Sequence, residues 1–326
     1  MINYIIKRIG TSIIILIGIS LIVFTLVQFQ PGNPYSTMID PTIPPETVEK
    51  MLLKIGYYDP FPLKYIKWLT RAITGDLGYS IHYKLPVITV ISSRIWNTFL
   101  LSIFSFTIGT IIAILVGVIS SYKPNSIFDY ITTILSFIGL SIPTFFFGLI
   151  LIKIFCFNTN FLPSSGMSTL GASHSGITKI FDIGKHMILP VIVLSLTQIA
   201  SLIRYSRSSM IDVLKNNYIQ TARAKGLSLK ATIWKHGFKN SLISIITILC
   251  MQIPSLFSGA LITETIFLWP GIGRLNYEAV INRDYPLIMG ITMMLAILIV
   301  FSNLLADILY AIADPRIRLD RWFVRR

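Results

Sequence analysis

The sequence predicts an all-α polytopic membrane protein with six transmembrane helices and both termini in the cytoplasm. Three observations lead there. Of 326 residues only 13% are charged and 53% are hydrophobic, with a mean hydropathy of +0.72, whereas soluble domains carry about 25% charged residues. Six windows contain no Asp, Glu, Lys or Arg: 9–29, 97–122, 130–152, 186–203, 240–263 and 285–306. Each approaches or exceeds the roughly 20 apolar residues that a helix needs to cross a bilayer core. The basic residues, finally, fall mostly on one side of these windows. With the N-terminus inside, the cytoplasm holds Lys7, Arg8, Lys123, the basic residues of 204–239 and the arginines of 316–326. The two shorter external loops hold only Lys153, Lys179, Lys185, Arg274 and Arg283, as the positive-inside rule requires.

The first window follows Lys7 and Arg8 like a secretory signal, but its apolar run is too long and no small-residue cleavage site follows. "QPGNP" after it reads as a helix stop, so the window is an uncleaved anchor. The external segment 30–96 is expected to form a helical insertion of two short amphipathic helices. Pro45, Glu46 and Thr47 make a helix start, with an acid near the positive end of the dipole. Leu63, Ile66, Leu69 and Ile73 recur at helical spacing on a face suited to an apolar surface. Cys156 and Cys250 lie near the end of the third window and inside the fifth, where a free thiol packs as a small hydrophobe. No repeat or flexible linker divides the chain, which is expected to be a single transmembrane domain, 1–326. The net charge of +14 is dispersed between apolar blocks and suits anionic lipid rather than nucleic acid.

The cytoplasmic loop 204–239 contains the most polar helical stretch. "MIDVLKNNYIQTARAK" is expected to be one helix, with Met210, Val213, Leu214 and Tyr218 in one apolar stripe and Gly226 as the C-terminal stop. Ser228 then suits the N-cap of a second helix carrying Leu229, Ile233 and Trp234. On charge alone this is a solvated basic loop. The small residues Thr221, Ala222 and Ala224, with Gly226, make instead a narrow face able to enter a partner's groove, where a glycine lets two backbones approach closely.

Here a resemblance becomes specific. "QTARAKGLS" resembles the EAA-type cytoplasmic motif of permease subunits of ABC importers of the dipeptide, oligopeptide and nickel family. "PGNPY", "GDLGYS", "SIPTFFFGLIL", "ILPVIVLSL", "ETIFLWPGIGRL", "RDYPLIMG" and "DPRIR" follow the family's order along the chain. Within the family the chain is similar to the B-type permease, which has a large external segment after the first span. The resemblance implies a cytoplasmic coupling helix between spans four and five that docks on an ATPase, with Tyr218, Gln220, Thr221, Ala222, Lys225, Gly226 and Leu227 at the contact. Gln220, Thr221 and Ala222 stand where the motif has Glu-Ala-Ala, and Gly226 at its glycine. Gln220 departs from the acid, which removes a salt bridge there. Ser244 stands where many relatives have proline, so a bend in span five falls to Pro254.

The resemblance further implies a pore-forming subunit in a bacterial or archaeal plasma membrane. Its partners would be a second, related permease, two cytoplasmic ATPase subunits and an external substrate-binding protein, all within membrane lipid. The cargo would be di- or oligopeptides, or nickel or another small solute, moved inward by alternating access. No cofactor is expected in this chain, since ATP would bind the partners.

Polar groups within the windows are candidates for the path. Gln252, Ser255 and Gly259 share one face of span five, and Gln198 and Ser201 form a second pair. Both sets suit either a path or close helix packing. Glu264 pairs with Arg274 or Arg283 as an outer gate, or is an interfacial acid in water. Asp307 makes a helix-end contact or couples protons. No G-x-x-x-x-G-K-[ST] loop occurs, and Gly184-Lys185 is followed by His. His82, His174, His186 and His236 are scattered without a metal-ligand pattern, and no G-x-S-x-G nucleophile setting appears. The alternative from another class is a secondary transporter, which predicts inverted repeats and mid-membrane charge. An intramembrane enzyme would need paired catalytic groups at one depth.

Overall fold

The computed structural model describes residues 2–29, 46, 49, 50, 53, 56–171, 175–256 and 260–313. The helix start at 45–47 lies outside them except for Glu46, as do "PGNPY", Gly259, His174 and the arginines of 316–326. All regular structure among the described residues is helical, apart from one antiparallel bridge between Tyr79 and Pro86. The chain divides into two compact units, Met1–Asn97 with Gly271–Val300, and Thr98–Pro270 with Phe301–Arg326.

The first unit begins with α1 (Ile2–Gln28). The amphipathic helix expected around residue 66 is α2 (Phe61–Ile73), opened by Pro60 and Pro62. Its packed face differs from the expected stripe. Phe61, Tyr65 and Trp68 pack around Phe24 of α1, and the Tyr65 hydroxyl lies 2.8 Å from Ser20 Oγ. Leu63, Ile66 and Ile73 stay exposed. Aromatic rings reach further than the aliphatic side chains and claim the helix–helix contact.

The turn Gly75–Pro86 then leads into α3 (Val87–Tyr122). Asp284 closes this turn: it accepts hydrogen bonds from Ser80 Oγ and from the amides of His82 (3.0 Å) and Leu287 (3.3 Å). The core of this unit joins Val87, Val90 and Ile91 of α3 to α11 (Ile272–Ile281) and to α12 (Tyr285–Ala313). Gly290 is required there, because a Cβ would overlap Val87. The motifs "GDLGYS" and "RDYPLIMG" therefore meet in one packed cluster.

The helices depart from the charge-free windows. α3 has 36 residues and α6 (Ile177–Leu214) has 38, about 54 and 57 Å long at 1.5 Å per residue, against windows that stop at the first charge. The third window is not one helix. α4 (Ile127–Ser141) and α5 (Thr144–Ile152, continued as a π-helical turn over Lys153–Asn158) meet at 102°. Pro143 lacks an amide donor and forces Ile142 into an extended conformation, which ends α4. The fifth window also breaks. α8 (Leu229–Ala231), a π-helical run (Thr232–Phe238) and α9 (Lys239–Gln252) tighten into a 3-10 turn, Ile253–Leu256, that contains Pro254, and α10 (Leu261–Ile266) follows. Ser244 lies inside α9. Four described helices are long and apolar enough to span a membrane, and α4 with α5 makes a fifth if the bent pair is one crossing.

α3 and α6 cross at very small distance. A Cβ on Gly109 would lie 3.2 Å from Ser195 Cβ, and one on Gly117 would lie 2.6 Å from Ser206 Cβ and 2.9 Å from the Ile203 carbonyl. Between them Ala113 packs against Leu202 and Ile203. Small residues at every fourth position let two backbones touch, the usual means of helix association in lipid. Gly117→Ala is thus expected to lower stability by about 1–3 kcal/mol through overpacking, even though Ala favours helix over Gly by about 1 kcal/mol. Gly10, whose Cβ would meet nothing within 4 Å, is the control. Thermal melting in detergent should fall for Gly117→Ala and hold or rise for Gly10→Ala.

Candidate functional site

The loop between α6 and α9 contains a short separate helix, α7 (Asn217–Ala224). The expected helix from Met210 is interrupted: α6 runs on to Leu214, and Lys215 and Asn216 form the break. The Asn216 side chain donates to the carbonyls of Asp212 and Val213 at 3.1 Å. An Asn that satisfies the end of one helix competes with its continuation. The stripe expected across the break is divided accordingly. Met210 is buried, Val213 and Leu214 are half-buried, and Tyr218 is 44% exposed.

The end of α7 is fixed by Gly226 at φ +82°. Gly226 N donates to the Arg223 carbonyl (3.0 Å) and Leu227 N to the Ala222 carbonyl (3.4 Å), the paired bonds of a Schellman cap. A Cβ on Gly226 would meet nothing within 4 Å. Within this chain the glycine is needed for its backbone angle. Ser228 is the expected N-cap and accepts from the Ala231 amide (3.3 Å). Two caps within three residues thus hold the turn between α7 and α8.

The base of α7 is packed. Ile219 and Ala222 are buried, and α7 rests on the π-helical run 232–238. That run is held to α6: Met210, Val118 and Ile233 share a cluster, Ser241 Oγ lies 3.0 Å from Met210 Sδ, and a Cβ on Gly237 would approach Met210 and Leu214 to 3.2–3.3 Å. Tyr218, Gln220, Thr221, Lys225 and Gly226 remain exposed, and Leu227 is half-buried. Ala222, expected on the outward face, faces its own chain. The helix therefore presents a polar and basic surface on an apolar seat.

The path candidates are placed differently from one another. Gln198 Nε2 donates to the Phe106 carbonyl (3.3 Å) and to Thr110 Oγ1 (3.1 Å), and Ser201 Oγ donates to the Gln198 carbonyl (3.0 Å). Both belong to the α3–α6 contact or to α6 itself. Gln252 is half-buried at the end of α9. A 3-10 turn, Ile253–Leu256, follows it. Gly259 lies outside the described residues.

Glu264 is fully buried, and its Oε1 accepts from Thr98 Oγ1 at 2.7 Å, so it is not an acid standing in water. Arg274 Nε donates to Glu278 Oε1 (2.8 Å), and Tyr83 donates to Glu278 Oε2 (2.7 Å). Burial and then the Glu278 carboxylate push the Tyr83 hydroxyl up to about 12, which keeps it a donor. Arg283 sits at φ +52° in the cap of α11, with its amide on the Val280 carbonyl and that of Asp284 on the Ala279 carbonyl. Asp307 is half-buried in α12. Among the described residues no cluster of His, Cys, Asp or Glu could hold a metal ion.

The described chain is thus a set of long apolar helices with a short helix, capped at its C-terminal end by Gly226, between two of them. Residues 109–319 match the family described as "Binding-protein-dependent transport system inner membrane component", and residues 1–102 match its N-terminal companion, "Binding-prot-dependent transport system membrane comp, N-term". The chain belongs to this family. It is 45% identical over 315 residues to the "Oligopeptide transport system permease protein AppB" of Bacillus subtilis (strain 168), covering 96% of this chain and 98% of the relative. It is 36% identical over 336 residues to the "Dipeptide transport system permease protein DppB" of Escherichia coli (strain K12), covering 98% and 99%. The corresponding DppB of Alkalihalophilus pseudofirmus is 35% identical over 332 residues, covering 98% and 100%. The resemblance read from the ordered motifs is borne out.

The cap geometry makes a local prediction. Gly226→Ala forces an L-residue into the left-handed region, at a cost of about 1–2 kcal/mol. Hydrogen exchange of the amides in 217–227 should then accelerate about fivefold or more, with exchange in α12 unchanged.

Proposed function

We propose that this chain is one of two related pore-forming subunits of an ATP-driven importer that moves di- or oligopeptides into the cytoplasm. The observation that carries the proposal is α7: a short helix, capped at Gly226, seated on apolar residues and exposing Tyr218, Gln220, Thr221 and Lys225. A helix so placed suits docking into a groove of a cytoplasmic ATPase. Peptide as cargo is supported by the names of relatives aligned over nearly the whole chain. An external binding protein as donor of cargo is supported by the family description.

In this reading the chain crosses the membrane six times, with both termini and α7 in the cytoplasm. It binds no nucleotide itself, and two ATPase subunits serve it and its sister permease. Closure of the ATPases on ATP displaces α7, and the helices follow into an outward-facing state that receives peptide. Hydrolysis returns them, and peptide leaves to the inside. Packed rigid elements can pass such a displacement on, and a loose loop cannot. Glu264 with Thr98, and Arg274 and Arg283, serve the outer face. The path is wide and water-filled, lined in part from span five near Gln252, Ser255 and Gly259.

The test is Gly226→Asp, which adds both strain and a charge at the cap. At equal amounts in the membrane, peptide uptake should fall by about tenfold or more, the effect of roughly 1.4 kcal/mol lost from docking. Wild-type uptake by this variant would refute the docking role of α7.

A further inference from the structure

We propose that Asp129 and Arg207 form a positioning clamp, which passes displacement of α7 into α3 and α4. The proposal rests on the reading of α7 as the docking helix. Arg207 lies about two turns before the end of α6 at Leu214, so it stands at the root from which α7 projects. Its guanidinium engages Asp129, near the start of α4, with both arms: Nε to Oδ1 at 2.5 Å and Nη2 to Oδ2 at 2.7 Å. Asp129 is 3% exposed. Oδ1 also accepts from Ser120 Oγ of α3 at 2.5 Å, and Oδ2 from the Asn125 amide in the α3–α4 turn at 2.9 Å. Each carboxylate oxygen thus has two donors, and one side chain gathers α3, the turn, α4 and α6.

A second contact repeats the link one turn earlier on α6. The Arg204 guanidinium lies 4.9 Å from the centre of the Phe137 ring of α4. The tightest approach of α3 to α6, Gly117 on Ser206, adjoins Arg207 itself. The clamp therefore sits where three helices already touch.

A packing role alone accounts poorly for this arrangement. The carboxylate is buried while the Arg207 side chain is 29% exposed, and an ion pair taken out of water seldom stabilises a protein more than apolar residues of similar size would. What a two-armed guanidinium–carboxylate pair adds is fixed orientation, since its planar fork permits one geometry. Without it, α6 could turn or slide against α4 when α7 is pushed, and the displacement would end in the inner half of α6. Asp129 and Arg207 are positioning residues here, since neither need touch cargo or nucleotide.

The test uses the assembled importer in proteoliposomes, with its ATPase subunits, sister permease and binding protein. Arg207→Lys keeps the charge but cannot form the fork, and Asp129→Asn keeps the shape and one acceptor oxygen but replaces the other with a donor. Peptide transported per ATP hydrolysed is expected to fall about tenfold, within the range of allosteric coupling energies, while ATP hydrolysis stays within about twofold. An unchanged ratio in both variants would overturn the clamp. Hydrogen exchange with and without ATP gives a second readout, independent of yield. In the wild type, ATP should alter exchange in both 217–227 and 120–130; in Asp129→Asn, only in 217–227. A response in both segments of the variant also overturns the clamp. A wild-type complex with no response in 217–227 would instead overturn the docking reading on which the clamp rests.

Discussion

The close crossing of α3 on α6 is the constraint on which the second unit depends. Gly109 and Gly117 bring the α3 backbone against Ser195, Ser206 and the Ile203 carbonyl, with Ala113 between. Two long helices in contact over several turns behave as one rigid element. Gln198 joins them by side-chain hydrogen bonds to the Phe106 carbonyl and Thr110, which is how a polar residue is accommodated in an apolar setting. The cluster of Val118, Met210 and Ile233 continues the same contact toward the seat of α7. Everything proposed for α7 presumes that its seat does not yield.

Chain reversals in this fold rest on backbone conformations as much as on side-chain contacts. α7 and α11 end in the same pattern of paired hydrogen bonds, one with Gly226 in the left-handed region and the other with Arg283. The arginine bears the strain that glycine avoids, of the order of 1–2 kcal/mol. The buried Asp284 that follows it satisfies the α12 start and the Gly75–Pro86 turn together. That cluster explains why "GDLGYS" and "RDYPLIMG" occur in one chain although about two hundred residues separate them: one supplies Ser80 and the His82-bearing turn, the other the carboxylate and Gly290.

Much of this architecture was legible in the sequence, and the failures have physical causes. Charge-free windows located the long helices but underestimated them, because a helix continues past the apolar region and carries Arg94, Asp182 or Arg207 without penalty. They also missed the break at Pro143, which depends on a backbone donor rather than on polarity, while Pro190 sits inside α6 without ending it. The helix α11 was missed, although Leu275 and Ala279 at i and i+4 after Gly271 were available as a signal. Gly226 and Ser228 were read correctly because caps are local chemistry. The inward direction of Ala222 and the burial of Glu264 were not, because the direction in which a side chain points is decided by residues far along the chain. Asp129 and Arg207 are 78 positions apart, and no local pattern joins them.

The most direct test of the central claim is site-specific capture at α7. A cysteine placed at Thr221, exposed on the outward face, is treated with a short thiol cross-linker in the native membrane, and the products are purified and identified by mass. The account predicts capture of an ATP-hydrolysing subunit from position 221, and none from a control cysteine at Tyr277 of α11, which is also exposed. Equal capture from both positions, or a chain recovered without any ATPase although uptake is active, would contradict it.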